Sequence, residues 1–147
     1  DGSGMYTVTT LREEAMKQDV VYTAKEIEQT IRQEGQVTFY GIYFDFNKAT
    51  LRPESSTSLK EIASYLKSNS KNQVYMVGHT DNSGAHEYNL NLSKERSQAV
   101  VKEFIKTYGV PEAQLTSEGV GELCPVASNL TDAGRAKNRR VVMVLKK

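Results

Sequence analysis

The sequence predicts an α/β domain, a sheet whose strands alternate with helices and are covered by them on at least one face. Three observations predict it. After residue 35, apolar residues come in short bursts rich in β-branched and aromatic side chains, the mark of strands. Between the bursts, apolar residues recur at i, i+3, i+4 and i+7, the mark of amphipathic helices. The resulting order is strand, helix, strand, helix, strand, strand, which requires crossover connections over a sheet face.

The elements follow in chain order. "MYTVTTL" alternates and reads as a strand, whereas "LREEAMKQ" is ambiguous between states. "YTAKEIEQTIRQEG" is a helix over about residues 23–34. Thr23 is its N-cap, Glu26 completes a capping box, Ala24, Ile27 and Ile31 share a face, and Gly35 stops it. "QVTFYGIYFDF" reads as one strand through residue 46. "RPESSTSLKEIASYLKSN" is a helix with Pro53 in its first turn and Leu59, Ile62, Ala63 and Leu66 along one face. "QVYMVGH" is a short buried strand. "LSKERSQAVVKEFIKTYG" is a helix with Ser93 as the expected N-cap and Gly109 as its stop. "QLTSEGVG" is a strand, "LTDAGRAKNRR" a loop with a short helix capped by Thr131, and "RVVMVLK" the last strand.

Composition narrows the function. The 147 residues suffice for one domain rather than two, and 38% apolar content allows a modest core. The 19 basic and 18 acidic residues give a net charge of +1, against the basic excess of a nucleic-acid binder. No apolar run reaches the roughly 18 residues of a membrane span, and no signal peptide is visible. The chain begins "DGSG", which reads as a linker or an engineering scar, so it is expected to be a fragment of a longer protein. The lone Cys124 forms neither an internal disulfide nor a zinc set.

Polar residues of diverse chemistry crowd into "GHTDNSGAHEYNLNLSKERSQAV", residues 78–100. The stretch begins where a strand ends, the place where ligands collect in sheets of this kind. Arg96 is its most informative member. Four residues before Val100, it falls on the core-facing row of the expected first helical turn, so it either pairs with a carboxylate such as Asp81 or points into a crevice. At a helix N-terminus an anion is favoured, and a guanidinium takes a carboxylate bidentately. Asp81, in "TDNSG", either serves the turn by accepting backbone N–H groups or supplies an anion to a ligand ammonium. Together the two match a zwitterion, an amino group and a carboxylate on one carbon. Glu87 and Glu95, the candidates for a second catalytic acid, face solvent by pattern. His79 and His86 match no metal spacing and read as a packed histidine and a loop residue. Cys124 lies in no nucleophile motif. The "GVG" at 119–121 lacks the lysine of a phosphate loop, and "GRAKNRR" reads as partly buried ion pairs with a solvated remainder.

The order "IYFDFNKATLRPES", then "GHTDNSGAHEYNLNLSKERSQAV", then "GVGELCPVASNLTDAGRAKNRRVV" resembles the OmpA-like peptidoglycan-binding domain. That family includes the C-terminal domain of outer-membrane protein A, the peptidoglycan-associated lipoprotein and the periplasmic part of the flagellar motor protein B. The resemblance covers residues 37–145. It implies an α/β sandwich in which helices pack on a mixed four-stranded sheet. It also implies non-covalent binding of peptidoglycan through the meso-diaminopimelate of the stem peptide, with Asp81 taking the ammonium and Arg96 the carboxylate. Asn47, Thr80 and Asn89 match the family's supporting polar positions. Asp45 matches its structural or site-lining Asp, and Asn138 and Arg139 match the "NRRV" that borders the pocket. Departures are mild: Ser97 follows the site Arg, Val142 replaces a frequent acidic residue, and Cys124 stands at a variable position.

The implied organisation is an extension or linker over 1–35 and the binding domain over 36–147. The expected place is the periplasm, with the parent protein held to the outer membrane or envelope by a region outside this chain. Peptidoglycan is the expected partner and a second copy of the chain (a homodimer) a further candidate, with no nucleic acid, cofactor or metal. Two other classes stand beside this one. A wall-processing amidase or glycosidase needs a zinc set or a spaced carboxylate pair, and neither is found. A protein–protein docking module suits residues 1–35.

Overall fold

The computed structural model describes residues 21–146. The strand read in "MYTVTTL", the segment "LREEAMKQ" and the "DGSG" opening lie outside the described residues. Helix α1, Ala24–Glu34, starts at Thr23 with both halves of the expected capping box: the Glu26 N–H donates to the Thr23 hydroxyl, and the Thr23 N–H donates to the Glu26 carboxylate. Gly35 ends it in the left-handed region at φ 79°. Ile27 and Ile31 are buried in the main core, and α1 lies against strand β1, Gln36–Phe39, and helix α2, Ser56–Ser68.

The expected mixed four-stranded sheet is present. With β2 at Val74–His79, β3 at Leu115–Gly119 and β4 at Arg140–Leu145, the spatial order is β1-β4-β2-β3. β2 and β3 run parallel, joined by the crossover helix α3, His86–Lys106, while β4 is antiparallel to both its neighbours. Val74, Met76, Val100, Phe104, Ile62, Leu66 and Met143 fill the space between sheet and helices. A short helix α4, Asp132–Asn138, precedes β4, and the Thr131 hydroxyl caps it by accepting from the Gly134 N–H as expected.

Two expected boundaries move. β1 stops at Phe39 rather than running to residue 46. The reason is where the backbone hydrogen bonds go. The Ser55 hydroxyl accepts from the Tyr43 N–H at 2.7 Å and donates to the Tyr43 carbonyl at 3.0 Å, taking the place of a neighbouring strand. The rest of the run forms a tight turn closed by a Phe44–Leu51 bridge, with Asn47 at φ 56°. The turn's aromatic residues keep the composition of a strand, which hides the break.

Helix α3 begins at His86, about two turns before the expected start. Ser93 is therefore not its cap. It is buried inside the helix, where its hydroxyl donates to the Leu90 carbonyl and accepts from the Gly121 N–H at 2.9 Å. Asn89 and Ser93 occupy core-facing positions of the first two turns, so the apolar periodicity starts late although the helix does not. Arg96 accordingly sits near the middle of α3, and the charge of a helix N-terminus does not act on it. The helix lies close to the sheet because Gly78 and Gly119, partners across β2 and β3, have no side chain there. A Cβ on Gly78 would run into the Ser93 carbonyl, and one on Gly119 into the Lys94 amide.

Candidate functional site

The C-terminal end of β2, the start of β4, the 43–52 turn and the middle of α3 enclose a crevice of about 330 Å³. That is near the lower end for a small-ligand site. Tyr43, Phe44 and Phe46 give it an aromatic wall, and His79, Arg96, Arg139 and Arg140 give it polar groups.

Arg96 holds the turn against α3. Its Nε donates to the Lys48 carbonyl at 2.8 Å, its Nη2 reaches the Asp45 carbonyl at 3.4 Å, and the guanidinium lies 4.9 Å from the centre of the Phe44 ring. Its Nη1 has no hydrogen bond among the described residues. Of the two alternatives the sequence left open, the crevice is the one seen: Arg96 pairs with neither Asp81 nor any other carboxylate of the described residues. Burial pulls its guanidinium below its ordinary value, opposed by Tyr88 and Asp81 and aided by Arg139, yet an arginine stays cationic.

Asp81 pairs with Arg139 instead. Its Oδ2 accepts from Arg139 Nη1 at 2.6 Å, and its Oδ1 from the Ser83 N–H at 2.9 Å. The residue is buried, and burial alone would raise its carboxyl. The Ser83 amide and the Arg139 guanidinium outweigh that and hold it below the usual carboxylate range. A carboxylate with two bonds made still has lone pairs free. The turn chemistry expected of Asp81 is present, and its charge is shared with Arg139.

The other expected residues divide by place. Thr80 is buried, its N–H bonded to the Gly121 carbonyl and its hydroxyl to the Asp81 carbonyl at 2.8 Å. Asn89, also buried, donates from Nδ2 to the Gly84 carbonyl at 2.9 Å and so ties the "TDNSG" turn to α3. Asn47 is exposed on the turn, where its carbonyl accepts from the Tyr88 hydroxyl at 3.4 Å. Asp45 gives its carboxylate to Arg52 at 3.3 Å in an exposed pair, and its carbonyl to Arg96. Asn138 is fully buried away from the crevice lining. Its Oδ1 accepts from the Val126 and Ala127 N–H groups, and its Nδ2 donates to the Ala127 carbonyl and the Asn129 side chain. It folds the loop over 121–131. Arg139 lines the crevice as expected of a bordering residue.

The residue reading did not single out Arg140, Tyr40, Phe44 or Phe46, all of which line the crevice. The second arginine of "NRR" was the available signal for Arg140, since strand register decides which of consecutive residues turns inward. His86 is drawn to Glu122 at 3.1 Å, on the loop after β3.

His79 is largely buried, and burial, helped by Arg140, lowers its imidazole from 6.5 to about 4. The unfolded chain therefore binds a proton that the folded one refuses between these values. Stability is unaffected above pH 6.5 and falls as pH drops from 6.5 towards 4. Urea unfolding at pH 7 and pH 4.5 is expected to show this loss, and His79→Gln to reduce it.

The model of the OmpA family matches residues 43–139. The chain is 41% identical over 99 residues to outer membrane protein A of Bordetella avium, covering 67% of this chain and 50% of that protein. Overall it spans about half the length of the first curated relatives it matches. The peptidoglycan-associated lipoprotein of Burkholderia pseudomallei superposes with a TM-score of 0.65 at 34% identity, over 71% of this chain and 88% of that one. The cell wall anchor of the T6SS from Pseudomonas aeruginosa superposes with a TM-score of 0.64 at 29% identity, over 86% and 98% of the two chains.

Proposed function

The chain belongs to the OmpA family, and on that premise we propose that it binds peptidoglycan non-covalently through the meso-diaminopimelate of the stem peptide. Such binding anchors a protein of the outer membrane or envelope to the wall from the periplasmic side. One observation carries the reading: a buried Asp81 carboxylate held ionised, near a crevice in which Arg96 Nη1 has no hydrogen bond among the described residues. Asp81 takes the ligand's ammonium and Arg96 its carboxylate. Thr80 and Asn89 hold the turn that carries Asp81, and Asn47 and Asp45 belong to the turn that Arg96 braces. Arg139 sets the orientation of Asp81. Residues 36–147 form the binding domain and 1–35 an extension whose helix α1 docks on it. No helix of the described residues is long and apolar enough to cross a membrane.

The relatives favour anchoring over turnover, because their names describe an outer membrane protein, a wall-associated lipoprotein and a wall anchor. Two charge-assisted contacts of about 1.5–3 kcal/mol each give weak binding at one site. The repeating wall polymer then strengthens attachment of a tethered parent protein. The chain is expected to sediment with diaminopimelate-type peptidoglycan and not with lysine-type, whose stem lacks the carboxylate assigned to Arg96. Equal sedimentation with both walls would overturn the proposal.

A further inference from the structure

The corner of the crevice formed by His79 and Arg140 has no part in the contacts above. The two residues end β2 and begin β4, directly opposite each other across the ladder. Arg140 is only 8% exposed. Its Nη1 and Nη2 donate to the carbonyls of Asn138 at 3.1 Å and Cys124 at 3.0 Å, and its Nε is buried without a partner among the described residues. No carboxylate of the described residues pairs with it. Burial pulls its guanidinium below its ordinary value, opposed by Tyr40 and Cys124. Among the described residues His79 Nδ1 is likewise buried without a partner.

A guanidinium out of water with no counter-charge and an unused donor is costly to keep. Asp81, two residues beyond His79 in the chain, is already shared with Arg139. Arg96, Arg139 and Arg140 all line the same crevice, so one ligand carboxylate at Arg96 leaves it positively charged. The arrangement fits a ligand with two carboxylates set apart from each other.

We propose that Arg140 and His79 form a second anion subsite, which takes the other carboxylate of diaminopimelate, on the carbon joined to the rest of the stem peptide. The proposal rests on the diaminopimelate reading and extends it. The carboxylate accepts from Arg140 Nε and, in the tautomer with its proton on Nδ1, from His79. Burial, helped by Arg140, keeps that ring neutral near pH 7, so it serves as a donor rather than as a titrating cation. This carboxylate is free only where the stem ends at diaminopimelate. In longer stems it is tied up as an amide. The domain therefore prefers stems that a peptidase has trimmed back to that residue.

Calorimetric titration of the chain with two synthetic tripeptides tests this. Both are L-alanyl-γ-D-glutamyl-meso-diaminopimelate, one as the free acid and one with only the peptide-side carboxylate converted to the carboxamide. Both keep the zwitterionic end. The free acid is expected to bind on the order of tenfold more tightly, the equivalent of one charge-assisted hydrogen bond. Arg140→Gln is expected to abolish this difference between the two tripeptides. If Arg140→Gln does not fold, Arg140→Lys, which keeps the charge and loses Nε, is expected to narrow the difference. Equal binding of the two tripeptides by the unaltered chain would overturn the subsite and leave the Asp81–Arg96 reading standing. Binding of neither tripeptide would overturn both.

Discussion

Replacing Arg96 or Asp81 with alanine is expected to lower the affinity for a diaminopimelate tripeptide by roughly two orders of magnitude, and to abolish sedimentation with the wall. The size follows from what each substitution leaves behind. Without Arg96, the ligand carboxylate enters a partly dry crevice without its main donor. Without Asp81, the ligand ammonium loses its counter-charge, and Arg139 is left as an additional repelling cation. The two variants differ in their structural cost. Arg96→Ala also releases the Lys48 and Asp45 carbonyls and the Phe44 ring, so the 43–52 turn loosens. Asp81→Ala frees the Ser83 amide and leaves the turn tied to α3 by Asn89. Arg96→Lys separates charge from geometry. It keeps the cation, loses the planar fork, and is expected to bind about tenfold more weakly than the unaltered chain. Titration with melting curves on each variant checks these values. Full binding by both alanine variants would remove Asp81 and Arg96 from the site.

Asn138→Ala is expected to be the most destabilising of the polar substitutions, by about 3 kcal/mol, or ~10 °C in Tm. The side chain is fully buried and makes bonds with the Val126 and Ala127 amides, the Ala127 carbonyl and Asn129. Alanine removes all of them and strands backbone groups of a loop that has no strand to pair with. Binding of the tripeptide well below the new Tm is expected to stay within about twofold. A folded Asn138→Ala variant that no longer binds would give Asn138 the direct pocket role that the family resemblance implies.

These substitutions mark how far the sequence could be read. The capping box at Thr23, the cap at Thr131 and the glycine stops at 35 and 109 were legible because each rests on a contact between residues a few positions apart. The apolar faces of α2 and of the later turns of α3 were legible for a similar reason, since burial there follows the helical period. The end of β1 and the start of α3 were not. Both depend on distant polar groups, Ser55 satisfying Tyr43 and Ser93 receiving the Gly121 amide, and no local pattern encodes those partners.

The site divides in the same way. By its own residues, the sequence determined an α/β order, a polar cluster at a strand end and a pair of opposite charges. Through its resemblance it also pointed to a family, and the match over residues 43–139 shows that membership. Only the tertiary structure decided that Asp81 is held by Arg139 and not by Arg96, that Arg96 braces the aromatic turn, and that Asn138 faces a loop. It also brought Arg140 and His79 together at one corner of the crevice. Charge and residue type are written locally. Which charge meets which is set by strand register and helix placement, and these come from packing residues far apart in the chain.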